Sequence, residues 1–238
     1  MLYLIGLGLN DENDLTLKAI EIAKKCDCFI ELYTSVWKGS LENLKELIRK
    51  DIKVLNRKDL EENLELFIEK AKNSDIALFV PGDPLAATTH MDIVYDAKIK
   101  KIPVRIIHNA SIFSAIGEVG LQLYKYGKTA TIPLNGKLKN VKDTIRTNKK
   151  LGLHTLLLLD VDRENNIFMK ISDALNMLLK NKIIKETDQL IAFSNAGGDS
   201  KIYYDSVKGL KARLIDNPAV LIIPGKLHFR EKDFLEVV

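Results

Sequence analysis

The sequence contains few of the residues that build disulfide frameworks or zinc centres. Its 238 residues include two cysteines and four histidines. Cys26 and Cys28 would point to opposite faces of a strand, which disfavours a disulfide between them, and no further cysteine completes a metal cluster. The histidines do not have the spacing of zinc ligands. We therefore expect no metal site and a reducing, cytoplasmic location.

Long apolar runs and several common motifs are also missing. No apolar run approaches the ~20 residues that cross a bilayer, and acids rather than a basic segment accompany the apolar N-terminus, so we expect neither a signal peptide nor a membrane partner. Gly6 and Gly8 form a G-x-G pattern, but Asp11 replaces the third glycine of a dinucleotide fingerprint. His108, Ser111 and Asp83 could form a hydrolase triad, but Ser111 lacks the flanking glycines of a nucleophile elbow.

Charge is nearly balanced, with a formal net charge of +4, but one segment departs from this balance. Between Lys125 and Lys150 there are eight basic residues and one acid, Asp143. A positive face of this kind can steer an acidic or phosphate-bearing macromolecule, or it can be a solvated lysine surface. Aromatic residues are sparse within it, so we expect no direct nucleic-acid binding.

The first hundred residues alternate between strand and helix signals. Short apolar runs predict strands at Leu2–Ile5, Cys28–Tyr33, Lys53–Leu55, Ile76–Val80 and Val104–Ile107. Helical periodicity between these runs predicts helices, with Asp14 and Ser40 as N-caps and a capping box formed by Asp59 and Glu62. Helices between strands indicate a parallel, covered sheet.

Beyond about residue 115 strand signals outnumber helix signals. One helix is predicted over Ser172–Asn181. Strands are predicted at Thr129–Leu134, His154–Leu159, Gln189–Phe193, Lys201–Tyr204, Ala219–Ile223 and, as a closing strand, Phe229–Val238. We therefore expect an N-terminal α/β domain over residues 1–110 and a C-terminal mixed α/β domain over residues 111–238. A cleft between such domains is the default binding site.

The most informative loop follows the apolar run Ile76–Val80. Pro81 cannot donate to a sheet ladder, Gly82 allows a sharp turn, and Asp83 adds a carboxylate. Open α/β sheets bind small molecules at this edge, although the same turn also fits a connection without a ligand. Other turns after strand signals lie at Gly6–Asn10, His108–Ile112 and Asn195–Gly198. These loops contain small residues and no lysines, which disfavours a phosphate ligand.

Five segments occur in an order that suggests a family. They are Gly6–Asp11, Val80–His90, His108–Ile112, Gly152–Leu157 and Pro224–His228. Together they resemble the diphthine synthase family of the tetrapyrrole methylase superfamily, and the resemblance covers nearly the whole chain. Pro-Gly-Asp-Pro alone indicates only the superfamily, whereas Ala-Thr-Thr-His and Pro-Gly-Lys-Leu-His are more specific.

The resemblance implies an S-adenosylmethionine-dependent methyltransferase with S-adenosylhomocysteine as its product. It implies a two-domain tetrapyrrole-methylase-like fold, with a parallel-sheet N-terminal domain, a mixed-sheet C-terminal domain and the cofactor in the cleft between them. The substrate would be translation elongation factor 2, on which the amino group of an aminocarboxypropyl-modified histidine is trimethylated to diphthine. The resemblance also implies a homodimer. A tetrapyrrole methyltransferase and a non-catalytic cofactor-binding module stay open as alternatives.

The family's cofactor contacts fall on eight positions of this chain. They are Leu9, Asp83, Ala86, Ser111, Ile112, Leu159, Ala196 and Ala219. Asp83 can balance the sulfonium or accept a hydrogen bond, or it can cap an Asx turn. No catalytic base is identified. The segment before His154 is shorter than in the family and lacks aromatics, so the hypothesis is that Lys137, Lys139 and Lys142 dock the protein substrate by charge.

Overall fold

The structure, a computed structural model, describes residues 1–163 and 165–238. The chain divides into two compact units, Met1–Phe113 and Ser114–Val238. One five-stranded sheet is parallel throughout and the other is mixed, which confirms the predicted α/β fold class. No helix within the described residues is long and apolar enough to span a membrane.

The first unit alternates strands and helices. Its strands are β1 (Leu2–Gly6), β2 (Asp27–Glu31), β3 (Ile52–Leu55), β4 (Ile76–Val80) and β5 (Val104–Ile107). Its helices are α1 (Leu17–Ala23), α2 (Leu41–Ile48), α3 (Arg57–Glu61), α4 (Leu64–Lys70) and α5 (Met91–Ile99), with a 3₁₀ turn at Glu12–Asp14. The sheet order β3-β2-β4-β1-β5 makes β4, β1 and β5 neighbours, so the loops that follow them emerge side by side.

Side chains of this first sheet alternate between two apolar clusters. Leu2 and Leu4 pack with residues of α3, α4 and α5 on one face. Ile5 and Phe79 pack with residues of α1 and α2 on the other. Every residue of β4 is buried, as expected for a continuous apolar run in the middle of a covered parallel sheet.

The second unit is built on a mixed sheet. Its strands are β6 (Ala130–Ile132), β7 (Thr155–Leu159), β10 (Gln189–Ser194), β11 (Lys201–Ser206) and β12 (Ala219–Ile223), and β8 (Val161–Asp162) pairs separately with β9 (Ile167–Phe168). The sheet order is β11-β10-β12-β7-β6, with β6 and β7 parallel and the other pairings antiparallel. The helices are α6 (Ile112–Ala115), at the division between the units, α7 (Lys139–Lys150), α8 (Ile171–Lys180), α9 (Val207–Lys211) and α10 (Phe229–Leu235), with 3₁₀ turns at Ile116–Val119 and Leu123–Lys125.

In the second unit one prediction was wrong and one helix was not predicted. The segment Phe229–Val238 forms α10 instead of a closing strand, because His228 and Glu231 make a capping box and Leu235, one turn later, is buried. The basic segment before His154 contains α7, which was not predicted. Its buried face includes Val141 and Ile145, and the polar residues around them hide this four-residue spacing.

Two helix caps in the first unit also differ from the prediction. Thr16, not Asp14, caps α1, since the Thr16 side chain accepts from the Ala19 amide. The capping box before α3 joins Asn56 to Asp59, three residues earlier than predicted. The helical pattern that follows is divided into two separate helices, α3 and α4. Ser40 caps α2 as predicted.

Candidate functional site

The loops after β1 and β4 pair with each other at the carboxyl edge of the first sheet. The Leu7 amide donates to the Val80 carbonyl at 2.8 Å, and Gly8 and Gly82 exchange backbone hydrogen bonds at 3.2 and 2.8 Å. Both glycines have positive φ, +84° and +71°, a conformation that favours glycine. A Cβ at Gly6 would lie 2.5 Å from the Gly82 carbonyl oxygen. The glycines of both motifs therefore allow the two loops to approach.

Asn109, in the loop after β5, ties this loop to the start of the chain. Its side-chain amide donates to the carbonyls of Gly6, at 3.0 Å, and Asp14, at 2.9 Å. The Asp14 carboxylate in turn accepts from the amides of Leu9 and Asn10 at 3.0 and 2.7 Å. Asp14 therefore shapes the loop that carries a predicted cofactor contact, which explains why it does not cap α1.

Both carboxylate oxygens of Asp83 are hydrogen-bonded. Oδ1 accepts from the Leu85 amide at 3.0 Å, which is the Asx turn considered from the sequence. Oδ2 accepts from the Asn109 amide at 3.2 Å and lies 2.7 Å from Nδ1 of His108. From the sequence, Asp83 and His108 were considered together only as members of a disfavoured hydrolase triad. The sequence nevertheless contained a signal for their contact, because Asp83 and His108 each follow a strand that lies beside β1.

The five predicted contacts of the first unit lie on these loops. Besides Leu9 and Asp83, the Ala86 amide donates to the Asp83 carbonyl at 3.1 Å. Ser111 is buried, and its Cα is 3.9 Å from where a Cβ on Gly82 would lie. Ile112 begins α6. The structure thus brings loops that are distant in sequence to one sheet edge, lined by backbone polar groups, a hydroxyl and a carboxylate.

The three predicted contacts of the second unit also come together, at one edge of the mixed sheet. Ala219 begins β12 opposite Ser194, the last residue of β10, and Ala196 follows two residues later. Leu159 ends β7, which runs antiparallel to β12, and both Leu159 and Ala219 pack against the same apolar cluster. The Ser194 hydroxyl is buried without a hydrogen-bond partner in the part of the chain that the structure describes. Asn195, between Ser194 and Ala196, is a second buried polar residue at this edge.

Two family-like segments meet elsewhere in the second unit. The Gly225 amide donates to His154 Nδ1 at 2.9 Å, and the Lys226 amide donates to the Gly152 carbonyl at 2.9 Å. A Cβ on Gly225 would lie 2.5 Å from the Gly152 oxygen, so this approach requires glycine. The segments Gly152–Leu157 and Pro224–His228 therefore form one structural contact.

Glu231 is the centre of this contact and is almost fully buried. Its carboxylate accepts from the amides of Gln122 and His228 at 2.9 and 2.6 Å, lies 3.1 Å from His154 Nε2, and pairs with the Lys125 ammonium. Burial alone would raise the pKa of Glu231, but these four partners outweigh it and lower the pKa to about 2. Burial has the opposite effect on His154 and lowers its pKa, because it disfavours the charged imidazolium.

The first unit buries a second histidine–glutamate pair. His90 and Glu31 are 1% and 0% exposed, and His90 Nε2 lies 3.8 Å from Glu31 Oε1, which is too long for a hydrogen bond. Neither ring nitrogen of His90 has a hydrogen-bond partner among the described residues. Burial lowers the pKa of His90 to about 4, although the Pro84 carbonyl opposes this shift. His90 is therefore a neutral, buried imidazole near neutral pH.

Comparison with known proteins agrees with this geometry. Residues 1–210 match the family model described as Tetrapyrrole (Corrin/Porphyrin) Methylases. Diphthine synthases of Methanococcus maripaludis (strain C6) and Methanocaldococcus jannaschii are 42% and 43% identical over 249 and 251 residues, covering 99% of this chain and 98% of each relative. A crystal structure of diphthine synthase gives a TM-score of 0.93 at 34% identity, covering 99% of this chain and 94% of that chain.

The chain belongs to the tetrapyrrole methylase family and is an S-adenosylmethionine-dependent methyltransferase. Within this family its full-length relatives are diphthine synthases, which confirms the resemblance stated from the sequence.

Proposed function

We propose that the protein methylates the amino group of an aminocarboxypropyl-modified histidine on translation elongation factor 2, in diphthamide biosynthesis. The methyl donor is S-adenosylmethionine and the product is S-adenosylhomocysteine. The observation that carries this proposal is similarity to diphthine synthases along the full chain, not only in the Pro-Gly-Asp-Pro loop shared by the wider superfamily. This similarity favours a protein acceptor over a tetrapyrrole ring.

The carboxyl edge of the first sheet fits part of the cofactor. The paired glycine turns hold the loops after β1 and β4 together, Ala86 and Ser111 are small, and the Asp83 carboxylate can balance a sulfonium. We propose that Leu9, Asp83, Ala86, Ser111 and Ile112 hold the cofactor there. Leu159, Ala196 and Ala219 stay predicted contacts, and the unpartnered Ser194 hydroxyl beside them suits a polar ligand atom.

The chain supplies mainly position. The bound cofactor supplies an electrophilic methyl group on sulfur, and the edge residues must hold it in line with the acceptor amine. Proximity and orientation can provide up to ~7–11 kcal/mol of rate acceleration, so no covalent intermediate with the protein is required. The amine must be neutral to attack, so one proton must leave for each methyl group added. A quaternary nitrogen has no lone pair, which ends the reaction after trimethylation.

We propose that Lys137, just before α7, and Lys139 and Lys142, on α7, dock the protein substrate. Lys137, Lys139 and Lys142 are exposed, and the nearest acid, Asp143, lies 3.8 Å from Lys139. Among the residues that the structure describes, no carboxylate oxygen lies within 4 Å of the ammonium nitrogen of Lys137 or Lys142. Replacing these three lysines with glutamate should raise the KM for elongation factor 2 and reduce its dependence on salt. Unchanged methylation across a salt series would contradict docking by charge.

The resemblance also implies a cytoplasmic homodimer, which we propose for this chain. Light scattering coupled to gel filtration measures its mass in solution. A mass near twice the 26.9 kDa of one chain is expected. A mass of one chain at all concentrations would contradict the proposal.

Mass spectrometry tests the proposed function. Elongation factor 2 carrying the aminocarboxypropyl histidine is incubated with the protein and isotope-labelled S-adenosylmethionine. We expect mass gains in methyl steps, lost in Asp83→Ala and kept in Asp51→Ala, a matched change at an exposed aspartate at the start of β3. Methylation of a tetrapyrrole instead would support the first alternative. Cofactor binding without transfer to either acceptor would support a non-catalytic module.

A further inference from the structure

We propose that His108 is the base that removes the proton from the acceptor amine, and that Asp83 orients it. The inference deepens the function proposed above and rests on it. It arises from the hydrogen bond between Asp83 and His108, because the predicted role of Asp83 as a cofactor contact does not by itself require a histidine beside it.

The geometry fixes which nitrogen of His108 is available. Nδ1 lies 2.7 Å from Asp83 Oδ2, and a carboxylate can only accept there, so Nδ1 carries the proton in this assignment. Nε2 then keeps its lone pair, as a base requires. Asp83 is itself held by the amides of Leu85 and Asn109, so the loops after β4 and β5 fix the ring together.

Exposure separates His108 from the other histidines. Its side chain is 68% exposed, whereas that of its partner Asp83 is 13% exposed. His90 and His154 are buried, and His228 caps α10 in the second unit. His108 is thus the histidine that combines an oriented ring with an open Nε2 at the proposed cofactor edge. Solvent access also lets the ring release its proton before the next methyl transfer.

The proton and electron balance of each round is simple. Nε2 of His108 takes one proton from the acceptor ammonium, which leaves a neutral amine. The amine lone pair then forms the N–C bond as the C–S bond breaks, and the electron pair of that bond stays on sulfur. The products are a methylated ammonium and a neutral thioether. The proton on His108, stabilised by the Asp83 carboxylate, passes to water.

His108→Asn separates orientation from base function. An asparagine amide can still donate to Asp83 from near the Nδ1 position, but it has no equivalent of Nε2. We expect the methylation rate to fall by roughly 10²–10⁴-fold, the usual contribution of a general base, with cofactor affinity by calorimetry unchanged. In His108→Ala, added imidazole should restore part of the rate, because the site is open to solvent.

A readout without turnover completes the test. ¹⁵N NMR of histidine-labelled protein should show His108 as the Nδ1–H tautomer, and Asp83→Ala, which removes the acceptor, should abolish that preference. Three results would overturn the assignment: an Nε2–H tautomer, wild-type rates in His108→Asn, or loss of cofactor binding in His108→Asn, which would make His108 a cofactor contact. A wild-type protein that leaves modified elongation factor 2 unmethylated would instead overturn the proposed function, and the assignment with it.

Discussion

Each unit buries one histidine beside one glutamate, but the surroundings of the two pairs differ. In the second unit, Glu231 has four hydrogen-bond partners, and both ring nitrogens of His154 are engaged. In the first unit, His90 and Glu31 are 3.8 Å apart, and neither nitrogen of His90 reaches a partner among residues 1–163 and 165–238. Burial is similar in the two pairs, and Glu31, like Glu231, accepts hydrogen bonds, from the amides of Tyr33 and Thr34, so the pairs differ at the histidine.

The difference follows the division between segments with and without proposed cofactor contacts. The pair of His154 and Glu231, whose hydrogen-bonding groups have partners, joins segments that carry none of the eight predicted cofactor contacts. The unsatisfied His90 ends the Val80–His90 segment, which carries Asp83 and Ala86. Buried polar atoms without partners are costly, and departures from local optimality are expected near functional sites. The comparison therefore predicts that mutations of the two pairs have different consequences.

Glu231→Ala should have the largest effect on stability. It leaves the Lys125 ammonium and His154 without their shared partner, and breaking a buried charge pair costs about 3–5 kcal/mol. Urea denaturation measures this loss. Glu236→Ala, an exposed position just after α10, is the matched control and should change stability by less than about 0.5 kcal/mol. Equal losses in the two variants would remove the distinction between the pairs.

His90 should make stability depend on pH in mildly acidic solution. Its pKa is about 4 in the folded protein, below the ordinary value of 6.5, so the unfolded chain binds the proton more readily. Stability is therefore lost as pH falls below 6.5, by about 3 kcal/mol at pH 4.

Denaturation of the wild type and His90→Gln at several pH values measures the His90 contribution. The difference in free energy of unfolding between the wild type and His90→Gln should shrink as the pH falls from 6.5 to 4, because glutamine does not titrate. Other groups cancel in that difference, including His154, whose lowered pKa acts in the same direction, and Glu231, which acts at lower pH. A constant difference would show that His90 is not neutral and buried in solution.

Tyr126→Phe should have the smallest effect. The Tyr126 hydroxyl is buried without a partner in the described part of the chain, and its ring packs edge-on to His154 at 5.4 Å. Removing the hydroxyl abolishes an unsatisfied donor and keeps the ring, so stability should be unchanged or rise by about 1 kcal/mol. A clear loss in thermal denaturation would mean that the hydroxyl belongs to the Glu231 network after all.

Local patterns predicted the fold class and much of the secondary structure. The continuous run of β4, the Ser40 cap and the glycine turns each act over a few residues, so the sequence reveals them directly. The helices α7 and α10 were missed or misassigned because polar residues surround their few apolar positions.

Pairings between distant residues could not be predicted in the same way. The contact of Asp83 with His108 spans 25 residues, and those of Glu231 with His154 and Gln122 span 77 and 109. These contacts depend on which strands become neighbours, and no local pattern encodes that order. The predicted site residues could be named only because of the family resemblance.

The position of Glu231 in the chain has a consequence for biosynthesis. The strands and buried pair of the first unit are all available to fold once residue 113 has emerged from the ribosome. In the second unit, Lys125 and His154 are made long before their carboxylate partner. A nascent chain that stalls before residue 231 would thus present one assembled sheet followed by an incompletely packed segment in which Lys125 and His154 lack their shared carboxylate, the kind of intermediate that chaperones bind.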